Sequence, residues 1–216
     1  MAATRTPRRP IRRRPAARPR SRQGRARPSW ARRALVGGGV IAIGVLGGIL
    51  IGLESKVDKV IQELTLPLRH EDVIRQEASQ HGVKPELIAA VIYAESRFRD
   101  QTSAAGARGL MQITPDTARE IERRSGGTTF EVKDLADPDV NIAYGSFHLR
   151  ELLDLYEGNE VAALAAYNAG PRNADEWGGA EMEVEDIGFP ETAGYVDEVL
   201  DKQEAYRQKY PKELGY

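Results

Sequence analysis

The stretch AVIYAESRF, Ala90 to Phe98, decides how this chain is read. It closes a run, Pro85 to Ser96, that opens on proline, a residue favoured in the first turn of a helix. Within the run, Glu95 lies eight, seven, four and three residues beyond Leu87, Ile88, Val91 and Ile92. Those spacings share one helix face, so a carboxyl ends an apolar stripe. An ionised carboxylate there is costly unless paired, and its pKa is expected to rise. At an ordinary pKa of ~4.3, roughly one glutamate in 500 holds its proton at neutral pH. At about 6.5 the fraction becomes about one in four, which suits a general acid. The alternative is a helix-end glutamate that reaches water or pairs with Arg97 or Arg99. Ser96 has no His or Asp beside it in sequence and reads as a backbone cap rather than a nucleophile.

Working outward, the segment 71–210 reads as one mainly α domain. Glu71–His81 is helical with Gly82 as its stop. Thr114 caps a helix that starts at Pro115, and Asp137 caps one that starts at Pro138 and runs to about Tyr156. Glu160–Asn168 is short, alanine-rich and expected to be buried, ended by Gly170-Pro171. Residues 172–190 read as a loop, and Glu191–Lys209 as the last helix, followed by a tail, 211–216. No sustained period-two alternation is present, so strand content should be small.

The charges are segregated. Residues 1–33 hold 13 arginines and no acidic residue or lysine, which leaves 18 of the 31 basic side chains against all 32 acidic ones in the rest of the chain. The arm is proline-rich, poor in apolar side chains and self-repelling, so disorder is expected. Ala34–Leu53 is uncharged over 20 residues, seven of them glycine. As a helix it would span ~30 Å, the thickness of a bilayer core. That many glycines argue against a buried soluble helix. A cleavable signal is the rival reading, but the run is long and no A-x-A-like site follows. The expectation is a single-pass anchor with the arm in the cytoplasm and residues after 54 outside. Residues 54–70 read as a juxtamembrane stalk. The chain has no cysteine, and His70, His81 and His148 lack metal-ligand spacing and read as surface or capping residues. No metal or cofactor is expected.

Three further stretches carry polar side chains in apolar settings. SAAGARGLMQITP, Ser103 to Pro115, holds Met111 and Gln112. AAYNAGP, Ala165 to Pro171, sets Tyr167 and Asn168 at the end of the alanine-rich helix. FPETAGYV, Phe189 to Val196, presents Tyr195 in the first turn of the last helix. Amides, phenols and small residues around one carboxyl suit a polyhydroxylated, N-acetylated sugar, although each is also compatible with ordinary packing.

At these residues the sequence resembles the soluble lytic transglycosylase family, which has a goose-lysozyme-like fold. ESRF at 95–98, GLMQ at 109–112, DPDVNIAYG at 137–145, AYNAGP at 166–171 and PETAGYV at 190–196 occur in that family's order, over most of 71–210. The resemblance implies cleavage of the β-1,4 bond between N-acetylmuramic acid and N-acetylglucosamine in peptidoglycan, with a 1,6-anhydro end as product. It implies that Glu95 is the acid and then the base. It also implies that Ser103, Met111, Gln112, Tyr167, Asn168 and Tyr195 line or support the glycan groove, and that Ser96 orients the helix end. Two positions depart from the pattern, both in 172–190. Arg172 stands where glycine often follows AYNAGP, and Gly188 where proline often precedes FPET.

The expected partners are therefore peptidoglycan strands, and the membrane through 34–53. Anionic lipid is an expected contact of the arm, since basic segments beside a span are drawn to the cytoplasmic leaflet. Nucleic acid is not favoured, as the arm's charge is accounted for by topology. Two other readings stand beside the enzyme: a non-catalytic glycan-binding or scaffold protein on the same fold, and a lysozyme-type hydrolase. A conventional hydrolase would need a second carboxylate placed opposite Glu95, and nothing in the sequence puts Asp100 or Asp116 there.

Overall fold

The computed structural model describes residues 65–126 and 129–216. The expected arm, membrane span and most of the stalk lie outside the described residues. Among those described, no helix is long and apolar enough to cross a membrane.

Among the described residues, seven α-helices build the domain: α1 Glu71–His81, α2 Pro85–Ser96, α3 Pro115–Ser125, α4 Pro138–Leu155, α5 Glu160–Ala169, α6 Pro171–Glu176 and α7 Pro190–Lys209. Short 3-10 turns lie at Val132–Ala136, Gly179–Glu181 and Val184–Asp186. Proline at the first turn opens α2, α3, α4, α6 and α7. There its missing N–H is one of the donors a helix start leaves unpaired anyway. Thr114 Oγ1 accepts from Thr117 N at 3.1 Å, and Asp137 Oδ1 from Asp139 N at 2.9 Å, so both expected caps are formed. Strand structure among the described residues is confined to isolated bridges, Thr102 with Arg108 and Arg108 with Ile113.

The centre of the domain is α2. Leu87, Ile88, Val91 and Ile92 are buried, as their spacing requires, but so are Ala89 and Ala90 on the other side. A helix buried all round is wrapped by its neighbours rather than laid on one face. Its longest partner is α7, and α1 also packs on it. Small alanines on α2 and on α5, where Ala162, Ala163, Ala165 and Ala166 are buried, let the helices approach closely. Three tyrosine hydroxyls tie the chain entering the domain to its core: Tyr93 donates to the Thr65 carbonyl at 3.2 Å, Tyr206 to that of Pro67 at 2.5 Å and Tyr210 to that of Leu66 at 2.6 Å. At the other terminus Leu214 is buried, and Tyr216 donates to Glu86.

Two expectations are corrected here. The segment 172–190 is not one loop, because Pro171 starts the six-residue α6 as well as ending α5, and two 3-10 turns follow. Tyr195 lies in the second turn of α7 rather than the first, since that helix begins at Pro190.

Candidate active site

Glu95 stands in the last turn of α2, half-buried. The two residues that follow Ser96, Arg97 and Phe98, both adopt left-handed backbone, with φ of 52° and 59°. Non-glycine residues hold that conformation only when the surroundings fix it. Phe98 is fixed by burial against the Tyr206 ring, 6.2 Å between centroids. Ser96, also buried, donates to the Ile92 carbonyl at 3.1 Å. Gln101 Nε2 donates to the Glu95 carbonyl at 3.0 Å, supplying a partner to one of the acceptors a helix end leaves unpaired. The backbone of Glu95 is thus held from both sides.

The side chain is not neutralised by an arginine. Arg97 turns away, over the Tyr93 ring at 4.7 Å and to Glu198 at 3.3 Å. Burial raises the Glu95 pKa to about 7, and the Tyr195 phenol pulls it partly back. No neighbouring carboxylate contributes to the shift. At neutral pH about half of such groups hold the proton. The Tyr195 hydroxyl is itself out of water and meets no protein atom in hydrogen-bond geometry, so it approaches the carboxyl without closing an aligned bond. Such contacts commonly tighten only when substrate is bound. Burial and the nearby Glu95 charge hold the Tyr195 and Tyr167 phenols well above the usual range, so both stay neutral donors.

Tyr167 connects the carboxyl to the turn that carries Met111 and Gln112. Its hydroxyl donates to the Met111 carbonyl at 2.9 Å. That turn is a tight loop in which Arg108 and Ile113 exchange backbone bonds of 3.0 Å each way. Gln112 has a left-handed φ of 47°, and its side chain donates to the carbonyls of Gly109 at 2.8 Å and Gln101 at 3.1 Å. Met111 is fully buried, so it supports the floor of the site from beneath. Asn168 is exposed at the end of α5, and its Oδ1 accepts from Thr192 Oγ1 at 2.8 Å. The Ser103 hydroxyl accepts from Ala107 N at 3.1 Å and closes its own turn.

The sequence reading missed Asn141, which holds the Met111 turn. It is fully buried on α4; Oδ1 accepts from Met111 N at 2.8 Å, and Nδ2 donates to the carbonyls of Arg108 at 2.9 Å and Leu135 at 3.0 Å. Gly109 is packed so closely on Asn141 that a Cβ would collide with its side-chain amide. Gly145, one turn along α4, leaves room for the Met111 side chain in the same way. The signal was present, because Asn141, Gly145 and Leu149 share one face of α4 and a polar residue on an apolar face needs partners. His148 is also more than a surface residue. It is largely buried, its ring lies 5.4 Å from that of Tyr167, and burial with the nearby Arg124 lowers its pKa to about 4. It is therefore neutral at physiological pH. Among the described residues no cluster of His, Asp and Glu is arranged to hold a metal ion.

A half-protonated glutamate with two neutral phenols beside it can donate a proton to an oxygen and receive one back. The comparisons agree with that chemistry. The soluble lytic murein transglycosylase of Escherichia coli K12 is 32% identical over 154 residues, which is 67% of this chain and 24% of that protein. Membrane-bound lytic murein transglycosylase F of Desulfosudis oleivorans is 36% identical over 109 residues, 47% of this chain and 22% of that one. The structure of an inactive glutamate-to-glutamine mutant of lytic transglycosylase Slt from Pseudomonas aeruginosa superposes with a TM-score of 0.65 at 35% identity, covering 69% of this chain and 26% of that chain. The mainly helical, lysozyme-like fold is therefore shared, and the chain spans about a quarter of the length of these relatives. Residues 72–189, more than half of the chain, match the family model described as Transglycosylase SLT domain, and the chain belongs to that family.

Proposed function

We propose that this chain is a membrane-anchored peptidoglycan lytic transglycosylase in which Glu95 serves as both acid and base. The protonation state of Glu95 carries the proposal: a carboxyl with a pKa of about 7, raised by burial, with no second carboxylate contributing. The protonated carboxyl gives its proton to the oxygen linking N-acetylmuramic acid to N-acetylglucosamine as the bond from C1 to that oxygen breaks. The C6 hydroxyl oxygen of the muramoyl residue then bonds to C1, and its proton returns to Glu95. The carboxyl ends as it began, and the product carries a 1,6-anhydro ring. A hydrolase with two carboxylates would need a partner acid at a set separation.

Tyr195 and Tyr167 stay neutral, so they donate to oxygen without adding charge, and Asn168 offers its amide to the N-acetyl groups. Loss of activity in the Pseudomonas relative on changing a glutamate to glutamine supports the role of a carboxyl. The uncharged run 34–53 and the basic arm before it support an anchor with the domain outside the cytoplasm, and one relative is membrane-bound by name. The arm would contact anionic headgroups of the inner leaflet.

The test is mass spectrometry of products after the purified chain digests peptidoglycan. Muropeptides with 1,6-anhydro ends are expected, and none from Glu95→Gln. Reducing ends would mark a hydrolase, and intact strands would leave a glycan-binding protein.

A further inference from the structure

Phe189 is a large apolar side chain left in water. It is 49% exposed, although it occupies the N-cap of α7, six residues before Tyr195. Its position is held from several sides. The ring meets Trp177 edge to face, with centroids 4.8 Å apart and planes at 81°. Trp177 is half-buried against the core and caps α6. The backbone of Gly188 runs directly along the indole edge, where a Cβ would lie 2.5 Å from Trp177 Nε1. Any side chain at 188, including a proline ring, would displace the indole, so glycine is required by this close approach. Asn159 pins the intervening segment by donating to the carbonyls of Ala180 and Met182, both at 2.9 Å. Glu183 and Asp186 close a capping box beside it. The chain thus fixes an aromatic ring firmly in solvent, at the departures from the family pattern.

The ring also lies one turn from a residue at the site: three residues along α7 from Phe189 is Thr192, which bonds the exposed Asn168, and three further on Tyr195, on a different side of the helix, faces Glu95. Six residues of helix span about 9 Å along the axis. An exposed ring one helical turn from the Thr192–Asn168 pair is placed for a neighbouring sugar of the same strand. One face of a pyranose carries mainly C–H groups, and these pack on the electron-rich face of an aromatic ring.

We propose that Phe189, braced by Trp177, is a stacking platform for a sugar ring of the glycan strand outside the bond being cut, and so sets a preference for longer strands. The proposal rests on the glycan-cleaving reading above. Its test uses the full chain purified in detergent and carrying Glu95→Gln, titrated calorimetrically with peptidoglycan glycan oligomers of increasing length. Adding Phe189→Ala should weaken binding of long oligomers by about tenfold, the loss of one aromatic contact, and leave the shortest that bind unchanged. Phe189→Leu should weaken it equally, and Phe189→Trp should restore it. Should the alanine variant fail to fold by circular dichroism, the leucine and tryptophan pair still decides. In the chain with Glu95 intact, Phe189→Leu should raise KM for long strands about tenfold with kcat little changed. Equal affinity of the leucine and parent proteins at every length overturns the platform while leaving the enzyme standing. If the parent binds no glycan, both readings fall.

Discussion

The phenol of Tyr195 on α7, withdrawn from water, approaches the half-buried carboxyl of Glu95 at the end of α2. These two helices form the longest packed pair in the domain, so the acid and its neighbour sit on the most firmly joined elements. Burial alone would push the carboxyl further toward the neutral form; the phenol moderates it to about 7. The acid's operating range is therefore set first by burial and then trimmed by one long-range contact.

Replacing that phenol tests the contact. Because Tyr195 lowers the Glu95 pKa, Tyr195→Phe should raise it above about 7. The alkaline limb of kcat/KM, which follows loss of the acid's proton, should then move to higher pH. An unmoved or lowered limb would show that Tyr195 does not act on the carboxyl. The pH–rate profiles of the two proteins decide it.

The same shift has a stability consequence. A group whose pKa rises from 4.5 to about 7 on folding holds its proton more tightly in the folded state. Its favourable contribution is complete below the unfolded value and is lost as pH rises through about 7. The difference is roughly 3 kcal/mol, an upper figure for a half-buried group. Glu95→Gln removes the titration. Relative to the parent, it should gain up to about 3 kcal/mol between pH 4 and pH 8 in urea unfolding. A difference that is the same at both pH values would refute the buried-acid reading.

Asn141 should prove as essential as it is remote from the chemistry. Asn141→Ala strands the Met111 N–H and two buried carbonyls, and should cost about 3 kcal/mol. Activity should fall with it, since the turn bearing Met111 and Gln112 loses its anchor. Chemical denaturation and activity on peptidoglycan, measured on the same variant, check both effects.

Gly145 offers an independent probe of the floor. In Gly145→Ala the new methyl would sit 2.9 Å from the Met111 Cβ, and closer still to its sulfur. Overpacking of this kind costs about 1–3 kcal/mol. Combining it with Met111→Ala should recover part of that loss, because neighbouring changes are not additive. Strict additivity in thermal unfolding would mean that the two side chains do not meet.

What the sequence disclosed follows from how local each signal is. Helix starts were legible because proline, Thr114 and Asp137 act within a turn of themselves. Glu95 was legible because its conflict with the apolar stripe is contained in one helix. The wrapping of α2 was not, since Ala89 and Ala90 are equally at home on a buried or an exposed face. Helix α6 was missed because six residues are too few to show a period. Asn141 reads as an ordinary polar residue until its partners arrive from 30 and more residues away. The braced pair of Trp177 and Phe189 was equally hidden, because the glycine that permits it is one residue from the ring and eleven from the indole.

The account stands most directly on the proton held by Glu95. The carboxyl carbon of Glu95 can be followed by carbon-13 NMR across pH 3 to 9 in the labelled chain, with Glu95→Gln identifying its signal. A midpoint about 7, moving upward in Tyr195→Phe, is the predicted result. A midpoint about 4.5, the ordinary value for a glutamate, would contradict it.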